Sequence, residues 1–245
     1  MTKVSLILTT YNSKGNLEKT LNSIEMQDYP EIEVVIKDGG STDGTVDIIQ
    51  KYQKKSRHSV LWESKPDTGI YDAMNQGYEL CTGEVIAFFN DTFIGPDAIS
   101  RMVDKLESAP ECVGVHADLV YMDGEKIVRK WHMGEGSIRH GWMPGHPTLF
   151  LERKIYEKYG LYNTNFKISA DYEFMIRFLK DGENRLVYVP ETLVSMFYGG
   201  TSSGGLSNYL LSLKEGHKAL KMNGVKCAFY TDIRRTIKVL IQFCK

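Results

Sequence analysis

Residues 33–45 read Glu33-Val-Val-Ile-Lys-Asp-Gly-Gly-Ser-Thr-Asp-Gly-Thr45, and they decide the fold. The segment starts as an apolar, β-branched run and ends in glycines, which is typical of a strand that enters a tight turn. Asp43 is placed to cap a helix that carries Val46, Ile49 and Tyr52. The order strand, turn and helix predicts one βα unit.

The same order recurs on both sides of this unit. Apolar runs alternate with segments whose apolar residues recur every three or four positions, as on one face of a helix. This alternation predicts an α/β fold with a Rossmann-like, doubly wound and mainly parallel sheet. We expect strands at Val4–Leu8, Val60–Glu63 and Val85–Phe89, and helices around Leu17–Ile24 and Ile70–Leu80.

Polar clusters follow three of the expected strands. Thr9–Asn12, Asp38–Asp43 and Asn90–Thr92 each come directly after an apolar run. Because parallel strands end at the same edge of a sheet, we expect the three clusters to meet there and to bind a ligand.

The second half of the chain is less regular. Val113–Tyr121 and Lys126–Trp131 flank Asp123-Gly124, which predicts a hairpin. Gly134–His146 shows no period and is interpreted as a long functional loop. We expect a helix at Tyr172–Lys180, strands at Leu149–Leu151, Val187–Val189 and Leu193–Tyr198, and two helices at the end of the chain.

Composition excludes several classes of protein. Of the 245 residues, 42% are hydrophobic and 25% are charged, the balance of a globular chain rather than a disordered or collagen-like one. Thirty Lys plus Arg against 31 Asp plus Glu give a net charge of −1, so nucleic acid is not an expected partner. The four cysteines are scattered, and no apolar run approaches the roughly 20 residues of a membrane span. With no visible signal peptide, the chain is expected in the cytoplasm.

Six blocks of residues stand out in the chain. They are residues 33–45, Ser5-Leu-Ile-Leu-Thr-Thr-Tyr-Asn12, Lys65-Pro-Asp-Thr-Gly-Ile-Tyr-Asp-Ala-Met-Asn-Gln-Gly77, Gly83-Glu-Val-Ile-Ala-Phe-Phe-Asn90, Gly145-His-Pro-Thr-Leu-Phe150 and Ser169-Ala-Asp-Tyr-Glu-Phe174. In this order they resemble glycosyltransferase family 2, whose members have the GT-A fold, and the resemblance covers about residues 3 to 200.

The resemblance implies a GT-A domain at 1–204, with a nucleotide-sugar-binding half at 1–92 and an acceptor half with catalytic residues at 93–204. The simplest division adds a helical tail at 205–245.

The resemblance implies a site for a nucleotide-sugar donor, with UDP as the nucleotide. Carboxylates can accept hydrogen bonds from a base N–H or a ribose hydroxyl, and glycines let a ligand approach the backbone closely. The alternative is that Asp38–Gly44 is only a structural turn. The residues implied to bind the donor are Thr10, Tyr11, Asn12, Asp38, Gly39, Lys65, Asp67, Gly69 and Asn90.

The family's metal motif is incomplete in this chain. After the fourth strand, members usually carry Asp-x-Asp or Asn-Ser-Asp-Asp, whose carboxylate binds a divalent ion, but this chain reads Phe89-Asn-Asp-Thr-Phe93. Thr92 stands where an acid is expected, so the resemblance leaves Asp91 as the ligand for Mn²⁺ or Mg²⁺. Either Asp91 takes over this function after a one-residue adjustment, or metal binding is weakened or lost.

Asp171 matches the family's general base, which removes a proton from the acceptor hydroxyl in a single displacement with inversion. The alternative is that Asp171 only caps a helix. Glu173 is the poorer candidate because it points to another face of that helix. His146 is expected either to touch the diphosphate or the acceptor or to be structural, and Trp142 is expected to stack on a sugar ring; Tyr71 is expected only to pack.

The end of the chain is basic and amphipathic. From Lys214 onward it carries eight basic residues and two acids, a charge of +6. An apolar stripe bordered by cations can lie on an anionic membrane, and the alternative is a helix that packs on the domain. The resemblance implies a glycan acceptor, lipid-linked at the cytoplasmic face, in cell-surface polysaccharide synthesis. The stripe comprises Phe229, Ile233, Ile237, Leu240 and Cys244, and its flank comprises Arg234, Arg235, Lys238 and Lys245.

Two other functions are weighed. Gly200-Thr-Ser-Ser-Gly204 matches the nucleophile motif of a serine hydrolase, but His217 and Asp232 follow it in the wrong order for that mechanism. A nucleotide-sugar-binding or scaffold subunit without catalysis stays open, and the incomplete metal motif is its support.

Overall fold

The computed structural model of the protein describes residues 1–198 and 206–241. Its strands form one mixed sheet in the order β3-β2-β1-β4-β8-β6-β9-β5, with β7 paired to β6. The strands are β1 (Val4–Thr10), β2 (Ile32–Asp38), β3 (Ser59–Ser64), β4 (Val85–Phe88), β5 (Thr92–Phe93), β6 (Gly114–Asp123), β7 (Lys126–Trp131), β8 (Phe150–Glu152) and β9 (Leu186–Phe197). The helices are α1 (Lys14–Glu25), α2 (Thr45–Lys55), α3 (Ile70–Leu80), α4 (Ala98–Glu107), α5 (Arg153–Tyr159), α6 (Ala170–Leu179), α7 (Leu206–Met222) and α8 (Ala228–Ile241).

Strands β3, β2, β1 and β4 are parallel neighbours, which confirms the predicted Rossmann-like half. In the register of β1 and β2, Thr10 lies beside Asp38, so both strands end at the same level. The helix predicted at Ile70–Leu80 has these bounds in the structure. Asp43 lies one residue before the N-cap, Gly44, and its carboxylate accepts a hydrogen bond from the N–H of Thr45 at 3.0 Å.

The predicted hairpin is present, whereas the two strands expected after residue 186 form one. Strands β6 and β7 are antiparallel, as predicted for the segments around Asp123-Gly124. Strand β9 runs through Pro190 because its pairing with β6 skips a register there: Ala117 pairs with Val189, and Asp118 with Thr192. This irregularity accommodates the proline, which has no N–H to donate to the ladder.

Two apolar clusters cover the two faces of the sheet because successive strand residues point to opposite sides. The first joins Leu6 and Val34 to helices α1, α2 and α4. The second joins Ile7 and Val35 to helices α3, α5 and α6 and to Ala219 and Leu220 of α7, which are fully buried.

Helices α7 and α8 pack on this second side. Arg235 of α8, predicted on the exposed flank of the basic stripe, is instead buried, with its guanidinium 4.4 Å from the Tyr172 ring centroid. The side chain is buried because its guanidinium lies directly against Gly216 of α7, where a Cβ atom would overlap it. The predicted boundary at residue 204, the motif at 200–204, and Cys244 and Lys245 lie outside the described residues.

No helix among the described residues has the length and apolar character needed to cross a bilayer.

Candidate functional site

The three polar clusters meet at the carboxyl edge of the parallel strands, as predicted. The N–H of Gly39 donates to the carbonyl oxygen of Thr10 at 2.8 Å. The Asn90 side chain accepts from the Thr9 N–H and donates to the Thr9 hydroxyl, each at 2.9 Å. These bonds join the ends of β1, β2 and β4 into one rigid rim.

Asn12 fixes the turn after β1 against the turn after β2. Its N–H donates to the Ser41 hydroxyl at 2.8 Å, and its side-chain oxygen accepts from the Thr42 N–H at 3.0 Å. Asn12 has a φ of 47°, a left-handed conformation that asparagine tolerates better than most residues. The two turns are therefore held as one unit.

Asp38 lies beneath this unit, fully buried. Its carboxylate accepts hydrogen bonds from the hydroxyls of Thr10, Ser41 and Ser64, at 3.0, 2.5 and 2.6 Å, and from the N–H groups of Gly40 and Ser41. Burial opposes ionisation of Asp38, but the hydrogen bonds from Ser41, Ser64 and Thr10 prevail and lower its pKa. Asp38, which is predicted to contact the nucleotide sugar, thus already accepts five hydrogen bonds from the protein.

Tyr11, Gly39 and Asp67 form an open recess above Asp38. The Tyr11 ring is 67% exposed, and a Cβ atom on Gly39 would lie 2.6 Å from Asp67 Oδ2 and 3.3 Å from Tyr11 Cδ2. Asp67 Oδ1 accepts from the Gly69 N–H at 2.9 Å, which orients the carboxylate. Any side chain at position 39 would fill the space between the phenol ring and this carboxylate.

Lys37 is a structural member of the site that the sequence analysis did not identify. It is fully buried, and its Nζ donates to the carbonyl oxygens of Asp38 and Lys65, at 3.0 and 2.6 Å. The ammonium ties the end of β2 to the end of β3. Lys65 itself is exposed at the rim, where its ammonium forms a salt bridge with Glu63.

Asp171 lies half-buried in the first turn of α6. Its Oδ1 accepts a hydrogen bond from the Tyr71 hydroxyl at 3.1 Å. The N-cap of α6 is Ser169, and within the described residues the Asp171 side chain accepts from a phenol rather than from a helix N–H. This arrangement does not favour the alternative that Asp171 is a cap, and it gives Tyr71 more than the expected packing role.

The rings of Phe88, His146 and Tyr162 pack together near Asp171 and form an aromatic wall. The Nε2 atom of His146 lies 2.8 Å from the Tyr162 hydroxyl, and its ring stacks on Phe88 with centroids 6.0 Å apart. Burial lowers the pKa of His146, although the nearby Asp171 carboxylate acts in the opposite direction. The wall therefore presents a neutral imidazole.

Asp91 is half-buried and lacks a hydrogen-bond or ion-pair partner within residues 1–198 and 206–241. Burial alone raises its pKa to about 7. Burial raises the pKa of Tyr121, and the Asp91 and Asp171 carboxylates raise it further, so both carboxylates lie near the same phenol.

A divalent ion would satisfy the desolvated Asp91 carboxylate. In the described part of the chain, no three His, Cys, Asp or Glu side chains are grouped to hold a metal. An ion held by Asp91 alone would have to complete its shell with diphosphate and water oxygens.

Two predicted residues lie in packing positions. Trp142 is 7% exposed, its indole N–H donates to the carbonyl oxygen of Met133 at 3.0 Å, and its ring packs edge-on against His116. This arrangement favours a packing role over stacking on a sugar. Glu173 is buried, with Oε2 in an ion pair with Arg177 at 3.0 Å and Oε1 accepting from a side-chain amide at 3.0 Å, so neither oxygen is available to a substrate.

Comparisons with known proteins agree with these observations. The sequence profile described as "Glycosyl transferase family 2" matches residues 5–181. A "PGL/p-HBAD biosynthesis glycosyltransferase" from Mycobacterium bovis (strain BCG / Pasteur 1173P2) is 30% identical over 247 residues, covering 96% of this chain and 91% of the relative.

Two similar solved structures carry bound donors. S. aureus TarS 1-349 in complex with UDP-GlcNAc has a TM-score of 0.73 at 18% identity and covers 97% of this chain and 71% of that one. The mannosyltransferase PcManGT from Pyrobaculum calidifontis, in complex with GDP-Man and Mn²⁺, has a TM-score of 0.68 at 17% identity, covering 98% and 74%. At this identity the likeness concerns the fold, and it confirms the predicted GT-A fold.

Proposed function

The chain belongs to glycosyl transferase family 2, and we propose that it moves a hexose-type sugar from a UDP-sugar to a glycan hydroxyl with inversion. The observation that carries the proposal is the juxtaposition of the recess at Tyr11, Gly39 and Asp67 with the carboxylates Asp91 and Asp171 at one edge of the sheet. UDP as the nucleotide is supported by the UDP-GlcNAc complex of the structural relative.

The donor enters the recess beneath the open rim. The exposed Tyr11 ring offers a face for the base, and Asp67 Oδ2 accepts from a base N–H or a ribose hydroxyl. Asp38 supports the recess from below, because the five hydrogen bonds that its carboxylate accepts hold both turns in place. Thr10, Asn12 and Asn90 position the same turns, and Gly39 and Gly69 leave space for the ligand.

Asp171 removes the proton of the acceptor hydroxyl as that oxygen attacks the anomeric carbon. The new C–O bond forms as the bond to the diphosphate breaks on the opposite face, so the configuration inverts. The hydrogen bond from Tyr71 holds Oδ1, which leaves Oδ2 to face the acceptor.

Asp91 is the residue that would hold a divalent ion. When bound, such an ion would neutralise charge on the departing diphosphate. The half-buried Asp91 carboxylate supports this role because a desolvated anion gains most from a cation.

The acceptor is proposed to be a lipid-linked glycan in cell-surface polysaccharide synthesis, at the cytoplasmic face of an anionic membrane. Phe229, Ile233 and Ile237 of α8 are 71%, 43% and 50% exposed and lie along one stripe. Arg234 and Lys238 are exposed beside it. Apolar groups bordered by cations suit the headgroup region of such a membrane.

A donor panel tests the proposed function. Nucleotide release would be measured with UDP-hexoses, UDP-N-acetylhexosamines and dTDP-sugars, each with glycolipid extract and with or without Mn²⁺. We expect acceptor-dependent release from one UDP-sugar. A protein that binds UDP but releases no nucleotide from any donor would instead be the binding or scaffold subunit that the incomplete metal motif suggests.

A further inference from the structure

The turn that leads into the catalytic helix is held from outside by helix α7. This turn ends two residues before Asp171, and the N–H groups of its residues 167, 168 and 169 point at the Glu215 carboxylate. Lys167 N donates to Oε1 at 2.9 Å, and Ile168 N and Ser169 N donate to Oε2 at 3.0 and 3.1 Å. Glu215 is 8% exposed, so little water competes for these bonds.

The same turn is held at a second point by α7. The Lys218 ammonium lies 4.7 Å from the ring centroid of Phe166, which is itself buried. Glu215 and Lys218 lie three positions apart and therefore occupy one face of the helix. Together they fix the path of the chain from Phe166 to the start of α6.

We propose that Glu215 is a positioning residue for the transfer reaction, acting through Asp171. Three backbone N–H groups that have no partner within α6 are bound to one buried carboxylate, and this sets where the helix begins. Asp171 follows directly, so the place of its carboxylate depends on that start. The proposal rests on the proposed function of Asp171 as the general base.

Glu215→Gln removes one acceptor oxygen and places an NH₂ group against at least one of the N–H donors. We expect kcat to fall about 10- to 100-fold, because a small displacement of a catalytic group has a cost of this size. The KM for the UDP-sugar and the Kd for UDP should stay within about twofold, since Glu215 accepts its hydrogen bonds from residues 167–169 and not from the recess at Tyr11 and Asp67.

A matched variant separates positioning from stability. Thr231→Val removes another buried hydrogen bond from the C-terminal helices, the one from Thr231 Oγ1 to the Arg139 carbonyl oxygen at 3.0 Å. Both variants should lower Tm, but Thr231→Val should retain the wild-type kcat. Equal loss of kcat in both variants would show that Glu215 is only structural.

Double mutants test whether Glu215 acts through Asp171. In an Asp171→Asn background, Glu215→Gln should cause no further loss of kcat, because the group that it positions is already gone. Fully additive losses would contradict the proposal. Hydrogen exchange of the amides at 167–169 provides a readout without substrate, and faster exchange in Glu215→Gln is expected.

These readouts separate two failures. If the wild-type protein transfers no sugar, the proposed function fails, and unchanged amide exchange in Glu215→Gln would overturn the positioning separately. If the wild type is active and Asp171→Asn is not, a Glu215→Gln variant with wild-type kcat overturns this proposal alone.

Discussion

Asp91 and Asp171 have different surroundings, although both carboxylates add to the effect of burial in raising the pKa of Tyr121. The Asp171 carboxylate is oriented by the Tyr71 hydroxyl, which suits a base that must present one oxygen to a substrate. The Asp91 carboxylate is desolvated with no compensating hydrogen bond among the described residues, which suits an anion that meets a cation only with the donor. The environments thus separate the two proposed roles.

Asp91→Asn should remove the effect of Mn²⁺. Binding of the ion requires the ionised carboxylate, so the rise in Tm on adding Mn²⁺ with UDP should grow between about pH 6 and about pH 8 in the wild type and be absent in the variant. Differential scanning fluorimetry measures this directly. An equal Mn²⁺ shift in both proteins would place the ion elsewhere.

Without a divalent ion, the raised pKa of Asp91 has its own consequence for stability. The Asp91 carboxyl binds a proton more tightly in the folded state than in the unfolded state. Its contribution to stability is therefore fully present below about pH 4 and is lost as the pH rises through about 7. The Tm of Asp91→Asn, measured relative to the Tm of the wild type, should therefore rise over that pH range.

Glu33 gives a pH dependence of the opposite sign. It is buried, and hydrogen bonds from Lys3, Ser5 and Thr82 outweigh the effect of burial and lower its pKa to about 2. Its contribution to stability, about 3 kcal/mol, is present above about pH 4.5 and lost as the pH falls towards 2. Urea unfolding of wild type and Glu33→Gln should show a difference in unfolding free energy that shrinks across this window; a constant difference would contradict it.

At the scale of elements, the β1 and β2 turns act as one unit held by Asp38. Asp38→Asn keeps the size of the side chain but places an NH₂ group against N–H and O–H donors, so the turns should loosen. We expect UDP to bind about 10- to 100-fold more weakly, even with chelator present, as measured by isothermal titration calorimetry.

Asp67→Asn tests the other half of the donor site. It removes a carboxylate from the recess without disturbing the hydrogen bonds of the buried Asp38. Asp67→Asn should therefore weaken UDP binding and leave Tm unchanged, whereas Asp38→Asn should lower both the affinity for UDP and the Tm. Loss of Tm without loss of UDP affinity in Asp38→Asn would mean that the turns do not form the donor site.

The elements that the sequence predicts well are those with strong local patterns. Helix α3 and the parallel strands follow from periodicity and from turn residues, and the polar rim follows from the geometry of parallel strands. The sequence predicts two strands where the structure has β9, because the continuity of β9 depends on register shifts in its pairing with β6, which local propensity does not contain. The sequence does not identify Lys37 and Tyr71 as site members because Lys65 and Asp171, which they contact, are distant from them along the chain.

At the scale of the whole molecule, helices α7 and α8 have two different sides. One side buries Glu215 and Arg235 near the start of α6, and the other exposes Phe229, Ile233 and Ile237 of the apolar stripe. The sequence predicted the stripe from its period of 3.6 residues, but it placed Arg235 on the exposed flank. The packing of its guanidinium against Gly216 of α7 and the Tyr172 ring distinguishes this arginine from Arg234.

The exposed side should bind anionic liposomes. Arg234→Gln with Lys238→Gln removes two cations, each worth about 1 kcal/mol at such a surface, so binding should weaken about 10- to 30-fold. The double variant Lys51→Gln with Lys55→Gln on α2 makes the same charge change elsewhere and should bind like the wild type. Flotation at low and high salt measures this, and equal, salt-insensitive partitioning of all three proteins would contradict membrane docking.

In the proposed mechanism, the transfer reaction depends on Asp171. The most direct measurement compares wild type and Asp171→Asn for acceptor-dependent UDP release from the preferred donor, alongside the Kd for UDP. Asp171→Asn keeps the shape of the side chain and removes its basicity, so kcat should fall by about 10²- to 10⁴-fold while the Kd hardly changes. Turnover of Asp171→Asn at the wild-type rate would show that the carboxylate is not the base and would contradict the mechanism.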